Sequence, residues 1–187
     1  ESLKNFIEEL KIDPNTVVGA GFCQYAGCQV RGTALSIALT NYNYGGKPLK
    51  KDSSANLPVI EYLLTLPELR FDLKYISPDN KSENDFNFVI SALDSGIANK
   101  EYLDLFLADP RFQSLDLSEK SANSGLVYAA YVNHIEAAKY FISKGATGSA
   151  PCTTLFRGNC YTAAEAAASQ SNVEILKLIL EIVNILS

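Results

Sequence analysis

The chain contains no methionine, no tryptophan and a single histidine, His134. With one histidine, any Ser-His-Asp or Cys-His arrangement would have to be built on His134, and no nucleophile motif points to it. The lack of methionine, even at the first position, predicts a processed or excised chain, consistent with an export signal removed upstream. No signal peptide is legible in the residues present. Long apolar runs are missing as well. The most apolar stretch, Val173 to Leu186, is too short to span a bilayer and is interrupted by Glu174, Lys177 and Glu181. There is no basic stripe: the densest cluster, Lys47, Lys50 and Lys51, is followed at once by Asp52, and the net charge is −5. A surface that neutralises phosphates needs such a stripe, so no nucleic-acid partner is expected. Tyr44-Gly45-Gly46-Lys47-Pro48 holds a Gly-Lys pair but lacks the earlier glycine and the following Ser/Thr of a phosphate loop. The carboxylates, among them Glu8, Glu9, Glu61, Glu101, Asp104 and Glu136, are spread as on solvated faces, without the paired spacing of acid/base sites. No catalysis and no cofactor are expected.

What is present is ordinary in amount and regular in order. Apolar residues make up 47% and charged residues 20%, as in a globular domain. Leu3, Phe6, Ile7 and Leu10 stand at helical spacing, which predicts an amphipathic helix over residues 2–11, ended by Asp13-Pro14-Asn15. Thereafter short helices rich in small residues alternate with longer apolar ones. Thr33–Leu39 precedes Leu57–Leu64, with Pro58 in the first turn, where its missing N–H costs little. Asn87–Leu93 precedes Lys100–Leu107, Ser124–Ala130 precedes the helical stretch within Asn133–Ala146, and Tyr161–Ala167 precedes Val173–Leu180. Gly145 closes the third long helix as a stop.

The alanines near the ends of the short helices, Ala38, Ala92, Ala129 and Ala166, recur at intervals of 54, 37 and 37 residues. The long helices begin at Leu57, Lys100, Ile135 and Val173, at intervals of 43, 35 and 38. The links after the first two long helices also match: Leu64-Thr65-Leu66-Pro67 leads to Phe71-Asp72-Leu73, and Leu107-Ala108-Asp109-Pro110 leads to Leu115-Asp116-Leu117.

This order resembles the ankyrin repeat, a β-turn and two antiparallel helices with a period near 33 residues. Thr33-Ala34-Leu35-Ser36-Ile37-Ala38 looks like a worn form of the family's Thr-Pro-Leu-His-x-Ala, and Thr162 to Ala167 keeps the threonine and the small residues. Asn133-His134-Ile135-Glu136 through Gly145-Ala146 is similar to the family's second helix and its Gly-Ala stop. The resemblance implies an all-α fold over residues 1–187: an ankyrin-like solenoid of stacked helix-turn-helix repeats with finger loops. Its parts are an N-terminal half-repeat at 2–15 and repeats at about 32–73, 86–117, 123–147 and 161–187. It also implies a structural place for His134 at the start of a second helix, where a polar side chain satisfies backbone groups.

The resemblance places both cysteine pairs, Cys23 with Cys28 and Cys152 with Cys160, in loops that precede short helices, where fingers would lie. A local disulfide in each finger is the expected state, with free thiols and one zinc held by all four as alternatives. Disulfides imply an exported protein or another oxidising compartment, and free thiols a cytoplasmic one. The function implied is non-catalytic binding of a protein partner by the concave surface of fingers and short helices. Candidate contacts there are Tyr25, Gln29, Arg31, Tyr131, Phe156 and Arg157, aromatic and arginine side chains being the usual anchors. The alternative is an ankyrin-repeat portion of a larger exported, effector-like protein whose activity lies outside this chain. The broad aliphatic arc of the last helix adds an expectation of contact with a second copy, a partner or a downstream segment.

Overall fold

A computed structural model describes residues 13–17, 32–40, 56–73, 87–95, 99–148 and 161–186. The expected helix over 2–11, and with it most of the half-repeat 2–15, lies outside the described residues. Every described element is a helix, and the described residues contain no strand, as the all-α reading expects. In chain order the helices are α1 (Ala34–Thr40), α2 (Leu57–Leu64), α3 (Phe88–Ser95), α4 (Lys100–Ala108) and α5 (Pro110–Gln113). They continue as α6 (Glu119–Tyr131), α7 (Ile135–Ser143), α8 (Ala163–Ser169) and α9 (Val173–Leu186).

At most of them the start is set by a side chain that accepts otherwise orphaned first N–H groups, α2 being an exception. The Asn99 carboxamide accepts from Glu101 N at 2.9 Å, and Asn87 accepts from Val89 N at 2.9 Å and Ile90 N at 3.2 Å. At α8, Thr162 Oγ1 accepts from Glu165 N while the Glu165 carboxylate accepts from Thr162 N at 2.8 Å, a reciprocal capping box. The bonds that Thr162 donates also hold the Glu165 carboxyl below its usual titration range.

Two elements differ from the sequence reading. α6 begins five residues before the expected Ser124, because Ser118 Oγ accepts from Ser121 N and Glu119 supplies an acid in the first turn. Within the expected link, Asp109 caps a one-turn helix, α5, with Pro110 at its first position.

The short helices form a continuous row, in which α1 packs on α3, α3 on α6 and α6 on α8. Their partners lie beside them: α2 on α1, α7 on α6, and α9 on α8 with an edge against α7. Small residues make the row possible. Ala122, Ala129, Ala130, Ala166 and Ala167 are fully buried, and Ala92 and Ala163 nearly so. At Gly125 an added Cβ would lie 2.3 Å from the Phe141 ring, so that ring of α7 rests directly on the backbone of α6. Ala129→Leu is expected to cost about 1–3 kcal/mol, since the buried slot has no room for three more carbons. An unchanged melting temperature would refute that placement.

Beside the row sits a chain of aromatic rings. Phe112 packs edge-on to Phe71 at 5.6 Å, stacks on Phe106 at 5.2 Å and on Tyr140 at 5.3 Å, and Tyr140 meets Phe141 edge-on at 5.1 Å. The Tyr140 hydroxyl donates to the Phe112 carbonyl at 2.7 Å, and burial pushes its ionisation up to about 12. The neutral form is favoured in the fold, so stability is complete below the unfolded tyrosine value near ~10 and is lost as pH rises towards the folded value. Titrating thermal stability from pH 8 to 12 should therefore show an alkaline loss that Tyr140→Phe lacks. With the half-buried ring's solvent screening allowed for, the difference is about 1–2 kcal/mol. Parallel curves for the two proteins would refute it.

Candidate functional site

Three helix ends are built in the same way. After α6, α7 and α8 the chain takes one residue into the left-handed region: Asn133 at φ 56°, Gly145 at φ 94° and Ser171 at φ 59°. The next amide then reaches back to the helix: His134 N to Ala129 O at 2.9 Å, Ala146 N to Phe141 O at 3.0 Å, and Asn172 N to Ala167 O at 2.8 Å. These are Schellman closures, and they satisfy carbonyls that a bare helix end would leave open. Glycine takes the left-handed conformation without strain, asparagine with little, and serine with more. Ser171→Gly should accordingly raise stability by about 0.5–1 kcal/mol, the strain relieved exceeding the added freedom of the unfolded chain. A fall in melting temperature would contradict this.

The residue after each interhelical turn then opens the second helix. His134 Nδ1 accepts from Ala137 N at 3.1 Å, which places the proton of the neutral ring on Nε2, and Nε2 lies 2.9 Å from Asp104 Oδ1 on α4. The side chain is 11% exposed and bonded at both nitrogens. Asn172 holds the corresponding place before α9, and its Nδ2 donates to Ala130 O at 2.6 Å. Asn56, before α2, donates to Ala38 O at 2.8 Å. Asn99, before α4, is held on both sides by one group: its N–H donates to the Tyr128 hydroxyl, and that hydroxyl donates to its carbonyl, each at 3.0 Å. Asn56, Asn99, His134 and Asn172 thus form a family of polar joints at the starts of the second helices, Asn56 reaching α1, Asn99 and Asn172 reaching α6, and His134 reaching α4. Asn123, buried inside α6, serves another joint, accepting from Thr147 N at 3.0 Å and Gly148 N at 3.2 Å.

The most heavily bonded polar side chain described is Arg111 in α5. Its guanidinium donates to Leu66 O at 2.6 Å, Leu64 O at 2.8 Å and Leu69 O at 3.3 Å, closing the C-terminal end of α2. It also pairs with Asp109 at 2.6 Å and lies over the Phe71 ring at 5.5 Å from the centroid. The bonds from Arg111 hold the Asp109 carboxyl below its usual range, and the same pairing raises the guanidinium. Asn15 braces the same link: its Nδ2 donates to Glu68 O and its Oδ1 accepts from Arg70 N, each at 2.8 Å.

Of the candidate contact residues, Tyr131 alone lies among the described residues. It ends α6, half-buried and packed against the core. Tyr25, Gln29, Arg31, Phe156 and Arg157 lie outside the described residues, as do Cys23, Cys28, Cys152 and Cys160. Among the described residues no cluster of His, Cys, Asp and Glu has the makings of a metal site, and no helix is long and apolar enough to cross a membrane. Sequence reasoning missed Arg111, Asn123 and the asparagine joints. The joints had a signal, a polar residue just before each long helix, whereas the reach of Arg111 had none.

The last helix departs most from a closed surface. Ile175 and Ile179 are fully buried, yet Val173 is 58% and Leu180 48% exposed, with Leu176 between them and Val183 after them half-buried. No family model, no curated protein and no solved structure matches this chain.

Proposed function

We propose that the chain is an ankyrin-like stack that binds a protein partner through the concave surface of its short helices and the loops preceding them. The observation that carries this reading is the row α1–α3–α6–α8, backed by second helices, with the same turn recurring at Asn133-His134 and Ser171-Asn172. Such a stack presents an extended face whose curvature comes from repetition, and it suits recognition of another polypeptide better than enclosure of a small substrate. Tyr25, Gln29, Arg31, Tyr131, Phe156 and Arg157 are the residues assigned to that face, and no catalytic role is assigned to any residue. His134 has the work of a cap and joint, which supports a structural place for the only histidine.

The test is affinity capture from extracts of the source cells, with the native protein beside Arg31→Ala/Arg157→Ala. Both must first give the same circular dichroism and melting temperature. Proteins retained by the native chain and lost by the variant support the concave-face reading. Equal retention by both, or hydrolytic or transfer activity of the purified chain that tracks His134, overturns it.

A further inference from the structure

In a row of helix pairs each pair packs on its neighbours, so the first pair (α1 and α2) communicates with the third (α6 and α7) through the second. The one-turn helix α5 supplies a shorter route. It lies in the link that follows α4, and its residues Arg111 and Phe112 bond in opposite directions along the chain. Arg111 reaches back: its guanidinium donates to the carbonyls of Leu66, Leu64 and Leu69 at 2.6, 2.8 and 3.3 Å, where α2 ends. Phe112 reaches forward: its carbonyl accepts from the Tyr140 hydroxyl of α7 at 2.7 Å, and its ring stacks on the Tyr140 ring at 5.3 Å. A single peptide bond separates the two sets of contacts.

The turn that joins them is fixed at both ends. Asp109 accepts from Arg111 N at 2.9 Å, and the same carboxylate holds the Arg111 guanidinium at 2.6 Å. Pro110 sets the first helical position, and Ser114 N donates to Pro110 O at 3.0 Å at the other end. Phe71, which follows α2, packs on the same turn. Its ring lies under the guanidinium at 5.5 Å and edge-on to Phe112 at 5.6 Å and Phe106 at 5.7 Å. Lifting α2 and its link away would take three acceptors from Arg111 and uncover the fully buried rings of Phe106 and Phe112, on which Tyr140 rests. Parting α7 from α5 uncovers the Phe112 ring from the other side. We propose that α5 is a coupling element that makes α2 and α7, from pairs that are not neighbours, open as one. The first three pairs then form one cooperative block, and the row α1–α3–α6 keeps a single curvature. The inference rests on these contacts and not on what the concave face binds.

Native-state hydrogen exchange along a shallow urea series tests it, following the amides of α2 and α7. In the native protein the two helices should show the same opening free energy and the same dependence on urea, because one event exposes both. Leu35→Ala, which truncates a fully buried side chain of α1, should speed exchange in α7 as much as in α2. Arg111→Ala should part the two, with α2 accelerated about tenfold more than α7. Tyr140→Phe, which deletes one bond and keeps the ring, should part them by a smaller factor, and it serves if Arg111→Ala does not fold. A native α2 that opens at lower free energy and with a shallower urea dependence than α7 overturns the proposal, as does a Leu35→Ala effect confined to α2. Equal acceleration of both helices by Arg111→Ala or by Tyr140→Phe assigns the coupling to the helix row and overturns the role of α5.

Discussion

Phe112→Ala is expected to lower the unfolding free energy by about 3–5 kcal/mol, the largest effect of any single truncation considered. Phe112 is fully buried and touches rings from three parts of the chain: Phe71 after α2, Phe106 in α4 and Tyr140 in α7. Truncation removes the transfer energy of the ring and leaves a cavity walled by stiff aromatic neighbours that collapse poorly. Its backbone carbonyl also accepts the Tyr140 hydroxyl, so movement into the cavity would pull on a second bond. Phe112→Leu, which refills part of the volume, should cost roughly half as much. Urea denaturation of the three proteins is the measurement, and a loss below about 1 kcal/mol for the alanine variant would show that the site is not a packed junction.

Arg111→Ala should cost about 2–4 kcal/mol, although the residue is polar and its side chain is 31% exposed. The loss has two sources. Carbonyls at Leu64, Leu66 and Leu69 lose their donor, and Asp109, only 10% exposed, loses its counter-charge. Arg111→Lys should recover little, because a single ammonium cannot span that set of acceptors as the planar fork does. In a double-mutant cycle, Arg111→Ala combined with Asp109→Ala should cost less than the two changes added. Acid supplies a second reading. The Asp109 carboxyl titrates below its unfolded value, so the pair's stabilisation is complete above about pH 4 and fades as pH falls through the folded value. The gap between the native and Arg111→Ala proteins should narrow over that window, and additive single effects or a pH-independent gap would contradict the clamp.

The long helices were legible because their burial is one-sided and apolar. α2 has the expected bounds, α4 runs one residue further, and α7 ends at Ser143, just before the expected Gly145 stop. α6 was harder to read because its first turns bury polar side chains: Ser121, Asn123 and Ser124 are nearly inaccessible, and hydrophobic periodicity does not register them. Its true start was announced by Ser118 and Glu119, a cap signal that local pattern alone underweights. α5 was likewise announced by Asp109-Pro110 and read only as a link. The two Arg-Phe pairs, Arg70-Phe71 and Arg111-Phe112, look alike in sequence and act differently. Arg70 pairs with Asp72 two residues away, whereas Arg111 reaches carbonyls more than forty residues back. What a side chain does at that range depends on the packed stack, which no spacing rule encodes. The wide aliphatic arc of α9 is legible in its composition, and the structure resolves it into Val173 and Leu180, which are exposed, and Leu176, Leu178, Ile182 and Val183, which are half-buried.

The ring closed by the Tyr128 hydroxyl around the Asn99 peptide has a consequence for how the molecule breathes. The Asn99 amide hydrogen is held by a fully buried side chain from α6, not by a carbonyl of its own helix. Fraying of α4 alone need not free it, whereas separation of α6 from the start of α4 must. Its deuterium exchange should thus be slower than that of amides at ordinary helix starts and should report that opening alone. Tyr128→Phe, which keeps the ring and deletes the hydroxyl, converts this slow site into a fast one, and the ratio of the two rates gives the population of the parted state.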